Sequence, residues 1–316
     1  YWDMPQSLYF LVSLSIGVAF ILFVVTLLYQ PLLLIPYFSK KRRGFLRNGI
    51  NIFSGIFAGG YLGFGVIEGR MQPKVENVEI PLPNLQESFS AVQISDLHIG
   101  GLIEENVVRG IVKQVNALKP DVIFLTGDII DTEVSKVQKA MQELSKLQAP
   151  LGVFFVTGNH EFFHNIGELL ESLKKYGIRV LENENVVLYK NNQALVNVAG
   201  VYDLFGRRIG VLEPNLEAAL QERIETLPTI LLAHQPKFVL EIKESQKIDI
   251  MLSGHTHGGQ IFPFRFLVIL DQPYLSGLHQ HSPNTKIYVN RVTGFGGPPM
   301  RILARSEITF FHFTRG

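Results

Sequence analysis

The sequence predicts an α/β catalytic domain carried behind an apolar, membrane-spanning N-terminal region, and three observations predict it. Residues 4–39 contain no Asp, Glu, Lys or Arg. From Phe89 onward, short runs rich in Val, Ile, Leu and Phe alternate with polar, amphipathic stretches. Five of those runs end in Asp, Asn or His. Alternating apolar strands and amphipathic helices are the pattern of an α/β layer architecture.

Within the uncharged stretch, Leu8–Leu28 is almost wholly apolar and matches the ~20 residues that a bilayer takes. Gln30, Pro31 and Pro36 follow. Proline lacks the amide that a helix interior needs, so the first span is placed at 8–29. A basic loop, 40–47, comes next, with Lys40, Lys41, Arg42, Arg43 and Arg47. A Gly-rich, moderately apolar run gives the second span at 49–67, so 1–67 is read as the membrane region. The positive-inside rule puts the basic loop in the cytoplasm and the following domain on the extracytoplasmic side of a bacterial cytoplasmic membrane. Arg42-Arg43-Gly44-Phe45-Leu46-Arg47 also resembles a twin-arginine export signal, which leads to the same side. The first residue is Tyr1 rather than Met, which leaves room for further membrane segments upstream.

Residues 68–88 carry Pro73, Pro81, Pro83 and scattered charges and read as a linker. The catalytic domain is assigned to 89–316. Its first strands are expected at Phe89–Ser95, Val122–Thr126, Val153–Thr157, Thr229–Ala233 and Ile248–Leu252, each buried on both faces. Glu104–Leu118, Glu133–Leu147 and Ile166–Tyr176 are the helical candidates. Val186–Tyr189, Ala194–Val201, Lys286–Asn290 and Ile308–Phe313 are candidates for a second sheet.

Composition removes several function classes. Lys plus Arg is 29 and Asp plus Glu is 28, a balance that offers no basic face to nucleic acid. There is no cysteine, so disulfides and thiolate metal sites are excluded. The order of the five runs that end in Asp, Asn or His argues against a metalloprotease, and the Gly-rich run at Gly294–Gly297 lacks the Lys-Ser/Thr of a phosphate-binding loop. No obligate protein partner is expected.

The chemistry lies at the strand ends. Asp96-Leu97-His98 follows the first strand, Gly127-Asp128 the second and Gly158-Asn159-His160-Glu161 the third. His234 follows the fourth, and Gly254-His255-Thr256-His257 the fifth. In open α/β sheets ligands bind beyond the carboxyl ends of strands, so five strand ends can deliver these groups to one crevice. Carboxylate, imidazole and amide oxygen together suit Mn²⁺, Fe²⁺ or Zn²⁺. Each fragment alone is common; all five in this order, each closing a strand, form a constellation.

These stretches, with Gly127-Asp128-Ile129-Ile130-Asp131 and Ser253-Gly254-His255-Thr256-His257-Gly258-Gly259-Gln260, resemble the calcineurin-like metallophosphoesterases, in particular a bacterial membrane-associated or exported branch. The resemblance covers about Phe89 to Phe313. It implies a two-sheet sandwich flanked by helices and a binuclear metal centre, with Mn²⁺ the first choice of metal. By resemblance, Asp96, His98 and His257 hold one metal, and Asn159, His234 and His255 the other. Asp128 bridges both, and His160 is the acid beside the leaving group. Asp131 and Glu161 stand where the family has carboxylates that orient the ligands. The implied reaction is hydrolysis of a phosphoester, phosphodiester or diphosphate by a hydroxide shared between two metals about 3.5–4 Å apart.

A site beside a bilayer points to an amphiphilic substrate, such as a phospholipid or a lipid-linked diphosphate. Arg265, Arg291 and Arg301 are the candidates for holding its phosphate, because guanidinium binds phosphate bidentately. The apolar run Ile261–Leu270 and the pair Phe162-Phe163 are read as core, with a role against acyl chains as the alternative. The competing function is a membrane-tethered scaffold with an inactive metal site. A missing ligand would signal it, and none of the seven is missing.

Overall fold

The computed structural model describes residues 5–33 and 40–316. Two long helices come first, α1 (Gln6–Leu33) and α2 (Lys40–Gly69). The rest of the chain runs β1 (Lys74–Leu82), β2 (Phe89–Ile94), α3 (Glu105–Ala117), β3 (Val122–Thr126), α4 (Gln138–Leu144), β4 (Val153–Val156) and α5 (Ile166–Lys175). It continues through β5 (Arg179–Val180), β6 (Glu184–Lys190), β7 (Gln193–Gly200), α6 (Phe205–Ile209), α7 (Leu216–Ala219), β8 (Thr229–Leu232) and β9 (Ile250–Ser253). It closes with α8 (Arg265–Asp271), β10 (Gly277–Gln280), β11 (Lys286–Val289) and β12 (Glu307–Arg315).

The strands form two six-stranded mixed sheets, in the orders β1-β12-β2-β3-β4-β5 and β10-β11-β9-β8-β7-β6. Alternation of side chains along each strand sorts residues to opposite faces. Val122 and Phe124 of β3 point between the sheets, where they meet Val198, Ile230 and Leu252. Ile123 and Leu125 point outward, under Val108, Ile111 and Val115 of α3 and Met141 and Leu144 of α4. The outer face of the second sheet is covered by Leu216, Phe238 and Val239. This is the two-sheet sandwich flanked by helices that the motif resemblance implies.

The five motif strands are thus divided: β2, β3 and β4 lie in one sheet, β8 and β9 in the other. The crevice is formed where strand ends of two sheets converge, not along one open sheet. Gln93 ties the sheets together there, its side-chain amide donating to Thr126 Oγ1 at 2.8 Å and to the Ser253 carbonyl at 2.9 Å.

Four expectations need correction. The linker assigned to 68–88 contains β1, an edge strand paired in parallel with β12 along its whole length. Its Pro81 is tolerated because an edge strand has one unpaired side. Ile308–Phe313 belongs to the first sheet, between β1 and β2, rather than to the second. α1 continues past Tyr29 and includes Pro31 in its last turn, where one lost amide bond costs little. The basic stretch 40–47 is not a loop but the first two turns of α2; Pro36 and Ser39 lie outside the described residues.

Both long helices are apolar enough to cross a membrane: Gln6–Pro31 has a mean hydropathy of 2.8 and Arg47–Gly69 of 1.6. They also pack on the catalytic domain. Ile21 is buried with Ile261, Met300 and Ile302, and Tyr61, Leu62 and Val66 of α2 close the same cluster. The Tyr61 hydroxyl donates to the Phe262 carbonyl at 2.7 Å.

Candidate metal centre

The loops after the motif strands are held in conformations that non-glycine residues rarely adopt. Asp96, His98, Asp128, His255 and His257 all have positive φ, between 50° and 69°. Such strain, about 1–3 kcal/mol per residue, persists only where the surroundings fix it. Glycine is required beside them: a Cβ on Gly158 would overlap the Asp128 carboxylate, and one on Gly254 would overlap Ser95 and Asp96.

The donors converge. Asp96 Oδ1 lies 3.4 Å from His257 Nε2 and 3.9 Å from His98 Nε2, and the two imidazole nitrogens are 3.3 Å apart. A second group gathers around Asp128: His234 Nε2 is 3.2 Å from Asp128 Oδ2, and His255 Nδ1 is 3.2 Å from His234 Nε2. In each group the atoms fall within 4.8 Å of one another, the spread that one ion can bridge. Asn159 Oδ1 is buried without a hydrogen-bond partner. A buried acceptor left without a partner is one that a bound ion would satisfy. The residues present therefore fit divalent metal.

Residues 89–259 match the family described as Calcineurin-like phosphoesterase. An uncharacterized metallophosphoesterase of Helicobacter pylori (strain ATCC 700392 / 26695) is 39% identical over 313 residues, 97% of this chain and 82% of that protein. This chain belongs to the calcineurin-like phosphoesterases. A Danio rerio protein named as a transmembrane protein with a metallophosphoesterase domain is 36% identical over 255 residues, 78% of this chain and 58% of its own. Among solved structures, a dimetal phosphatase from Danio rerio aligns with a TM-score of 0.47 at 13% identity, covering 72% of this chain and 99% of that one. As a member of the family, the protein is a metal-dependent phosphoesterase.

In this phosphoesterase, hydrogen bonds fix which nitrogen each imidazole presents. His98 Nδ1 lies 2.7 Å from Asp131 Oδ1, His234 Nδ1 2.7 Å from the Thr126 carbonyl and His257 Nδ1 2.8 Å from Gln260 Oε1. Each pairing leaves Nε2 as the free donor, the arrangement that outer partners impose at metal sites. Asp131 also reaches His160 Nδ1 at 2.7 Å, so one carboxylate orients two histidines. His164, 3.0 Å from the Asp131 carbonyl, backs that residue.

Glu161 is buried beneath the site and accepts the backbone amides of Asp128 at 2.9 Å, Ile129 at 2.7 Å and Gly158 at 2.5 Å. It locks the second and third motif loops to each other. Burial, with Asp128 nearby, pushes its carboxyl up to about 7.

The electrostatics ask for positive charge. Burial alone would raise the Asp128 carboxyl, but the histidines around it, His234 foremost, hold it well below the usual carboxylate range. Asp96 is lowered in the same way, against burial and chiefly by His234. Burial opposes protonation of His98, yet Asp131 and the other carboxylates lift it to about 9. His255 is depressed to about 4 by burial and by His234, which leaves a neutral imidazole suited to ligation.

The structure engages two of the three candidate arginines elsewhere. Arg301 is fully buried, its guanidinium donating to the carbonyls of Ala304 at 2.6 Å, Gly294 at 2.6 Å and Arg291 at 3.1 Å. Arg291 is taken up by Glu76 at 2.7 Å and Glu307 at 2.6 Å. Neither is open to phosphate. Arg265 is half-buried at the start of α8, whereas the cavity at the site is lined by its neighbours Phe264 and Val268.

Several residues shape the site without having been assigned a role from the sequence. Gln260 orients His257, Gln93 joins the sheets, and Ser95 lies hydrogen-bonded against Asp96. Asp203 is buried near His234 and accepts from the Phe205 amide and from Gln235, both at 2.8 Å. Burial pushes its carboxyl up to about 6.

The site opens into a cavity of about 570 Å³. His98, His160, His255 and His257 form its polar end. The apolar runs on its rim do not behave as core. Phe163 is exposed and packs edge-on against His160 and Phe205. Of the run Ile261–Leu270, only Ile261 is buried, and α8 buries none of its residues.

Proposed function

We propose that this protein is a membrane-anchored, binuclear phosphohydrolase acting on an amphiphilic phosphoester or diphosphate. The observation that carries the proposal is the pairing of two neighbouring donor clusters, one of Asp96, His98 and His257 and one of Asp128, His234 and His255, with a cavity whose opposite wall is the apolar helix α1. Asp96, His98 and His257 would hold one ion, and Asn159, His234 and His255 the other, with Asp128 between them. A nitrogen–oxygen donor set without thiolate suits Mn²⁺ first, with Fe²⁺ and Zn²⁺ as alternatives. When bound, the ions supply Lewis-acid charge to the phosphoryl oxygens and lower the pKa of the attacking water.

The chain's own residues do the rest. Asp128 carries the negative charge that two cations share, which an amide cannot supply. Asp131 accepts from His160 Nδ1 and so turns Nε2 toward the cavity. Burial works against protonation of His160, but Asp131 and Asp128 outweigh it and raise its pKa. The imidazolium so favoured is placed to give its Nε2 proton to the departing oxygen, the role of a general acid. His98 and His257 wall the same pocket, and the neutral Asn159 limits the negative charge that an anionic phosphate must approach. A complete ligand set argues against the inactive-scaffold reading.

Anchoring is supported by the length and hydropathy of α1 and α2. The basic residues at the start of α2 favour a cytoplasmic turn and an extracytoplasmic catalytic domain. The test uses the full chain in detergent, stripped of metal and given Mn²⁺, Zn²⁺, Fe²⁺ or Mg²⁺ singly. Hydrolysis of bis-p-nitrophenyl phosphate and p-nitrophenyl phosphate is then followed. Metal-dependent turnover is expected, falling at least about 100-fold in Asp128→Asn and in His160→Ala. Undiminished turnover in Asp128→Asn would refute the assignment.

A further inference from the structure

We infer that the cleft between α1 and α8 holds the hydrocarbon chain of the substrate, so that α1 is a wall of the substrate site as well as an anchor. The inference rests on the phosphohydrolase reading and names the part of the substrate that reading leaves open. The cavity has two chemically distinct ends. One is the imidazole cluster at the metal donors. The other is formed by Ile16, Gly17 and Phe20 of α1 with Ile261, Phe264 and Val268. A phosphate belongs at the first end; Asp271 and Gln272 also line the cavity, but the wall that α1 shares with Ile261, Phe264 and Val268 is apolar and offers a polar group no partner.

Two further observations decide what fills the apolar end. Helix α8 buries none of its residues and exposes Phe266, Leu267, Ile269 and Leu270. An exposed apolar helix on a monomer marks a surface that meets hydrocarbon or a partner. The surface of α1 continues it, with Leu11, Phe23, Leu27 and Leu28 exposed on a helix long enough to cross a bilayer. The cleft therefore opens sideways onto the same hydrocarbon that would surround α1. A lipid phosphoester would reach the site without leaving the bilayer.

The packing of α1 fixes this geometry. It meets the domain from Tyr9, against Gly101, to Val25, in the cluster around Met300. That is about 24 Å along the helix axis, most of a bilayer's hydrocarbon thickness. Gly17 lets α1 approach Met300 and Pro298, where a Cβ would collide with Met300. The edge-on contact of Phe20 with Phe264, 5.8 Å between centroids, brings α1 against the segment leading into α8 at the cleft wall. The catalytic domain thus lies partly at membrane depth.

The test measures binding, by isothermal titration calorimetry, of monoalkyl phosphates from ethyl to dodecyl to the Mn²⁺-loaded full chain in one fixed detergent. Dodecyl phosphate is expected to bind at least tenfold tighter than ethyl phosphate. Ile16→Trp and Val268→Trp, which fill the cleft from opposite walls, should each remove most of that advantage. Ethyl phosphate should bind both variants within twofold of the unaltered protein, which also reports that they fold. Equal affinity for the two phosphates, or a chain-length advantage that survives in both variants, would overturn the inference. The phosphohydrolase reading fails separately: the same preparation would bind these phosphates with the expected chain dependence yet leave bis-p-nitrophenyl phosphate intact.

Discussion

Single residues set the loops that carry the ligands, and Glu161 is the clearest case. Its carboxylate accepts four backbone amides from two motif loops. A Gln there would turn an NH₂ toward amide donors. Glu161→Gln is therefore expected to lower metal affinity and turnover about 10–100-fold, read by metal titration and by hydrolysis; unchanged affinity would show that the loops hold themselves. Asp203 makes a pH-dependent contribution. Its pKa is raised to about 6 from 3.8, so the folded protein binds the extra proton between those values. Stability falls as pH rises through that window, and above it the full penalty, up to about 3 kcal/mol, is present. In Asp203→Asn, melting temperature should fall less between pH 4 and 7 than in the unaltered protein; parallel profiles would contradict this. Asp96, His98, Asp128, His234, His255 and His257, which the fold brings together, were legible in the sequence because each follows a short apolar run bounded by a turn. Gln93 and Asp203 were not, since a lone buried polar residue has no spacing signal. Arg291 and Arg301 were misread because their partners, Glu76 and a ring of carbonyls, come together only in the fold.

At the scale of elements, β1 shows how composition misleads. Three prolines and scattered charges look like a linker, yet two of the prolines, Pro73 and Pro83, only flank the strand, and an edge strand tolerates the third, Pro81. Arg291 then clips β1 to β12 through Glu76 and Glu307. A chain beginning at Phe89 should thus be less stable than one beginning at Arg70, compared by thermal unfolding in the same detergent; equal stability would mean that β1 is dispensable. Arg301 does similar work for the segment before β12. Arg301→Met would leave buried carbonyls unpaired and should cost about 3–5 kcal/mol. α8 misled in the opposite direction. Its apolar run has the length and hydrophobicity of a core strand, and periodicity alone cannot separate that from an exposed apolar helix.

The whole molecule joins a metallophosphoesterase domain to two apolar helices through a shared cluster at Ile21, Ile261, Met300 and Ile302. Removing residues 1–69 would uncover that cluster beside the exposed face of α8. The shortened protein should fold but self-associate without detergent, as sedimentation would show; a monodisperse monomer in plain buffer would count against a membrane-facing domain. The division of the motif strands between two sheets is what brings donor groups from distant segments side by side. The most direct measurement of the central claim is the metal content of the full chain, equilibrated with Mn²⁺ in detergent and freed of unbound ion. Two ions per chain, falling to one or none in Asp128→Asn, is the expected result. A chain that retains no ion, or an Asp128→Asn variant that still holds two, would contradict a binuclear centre built on Asp128.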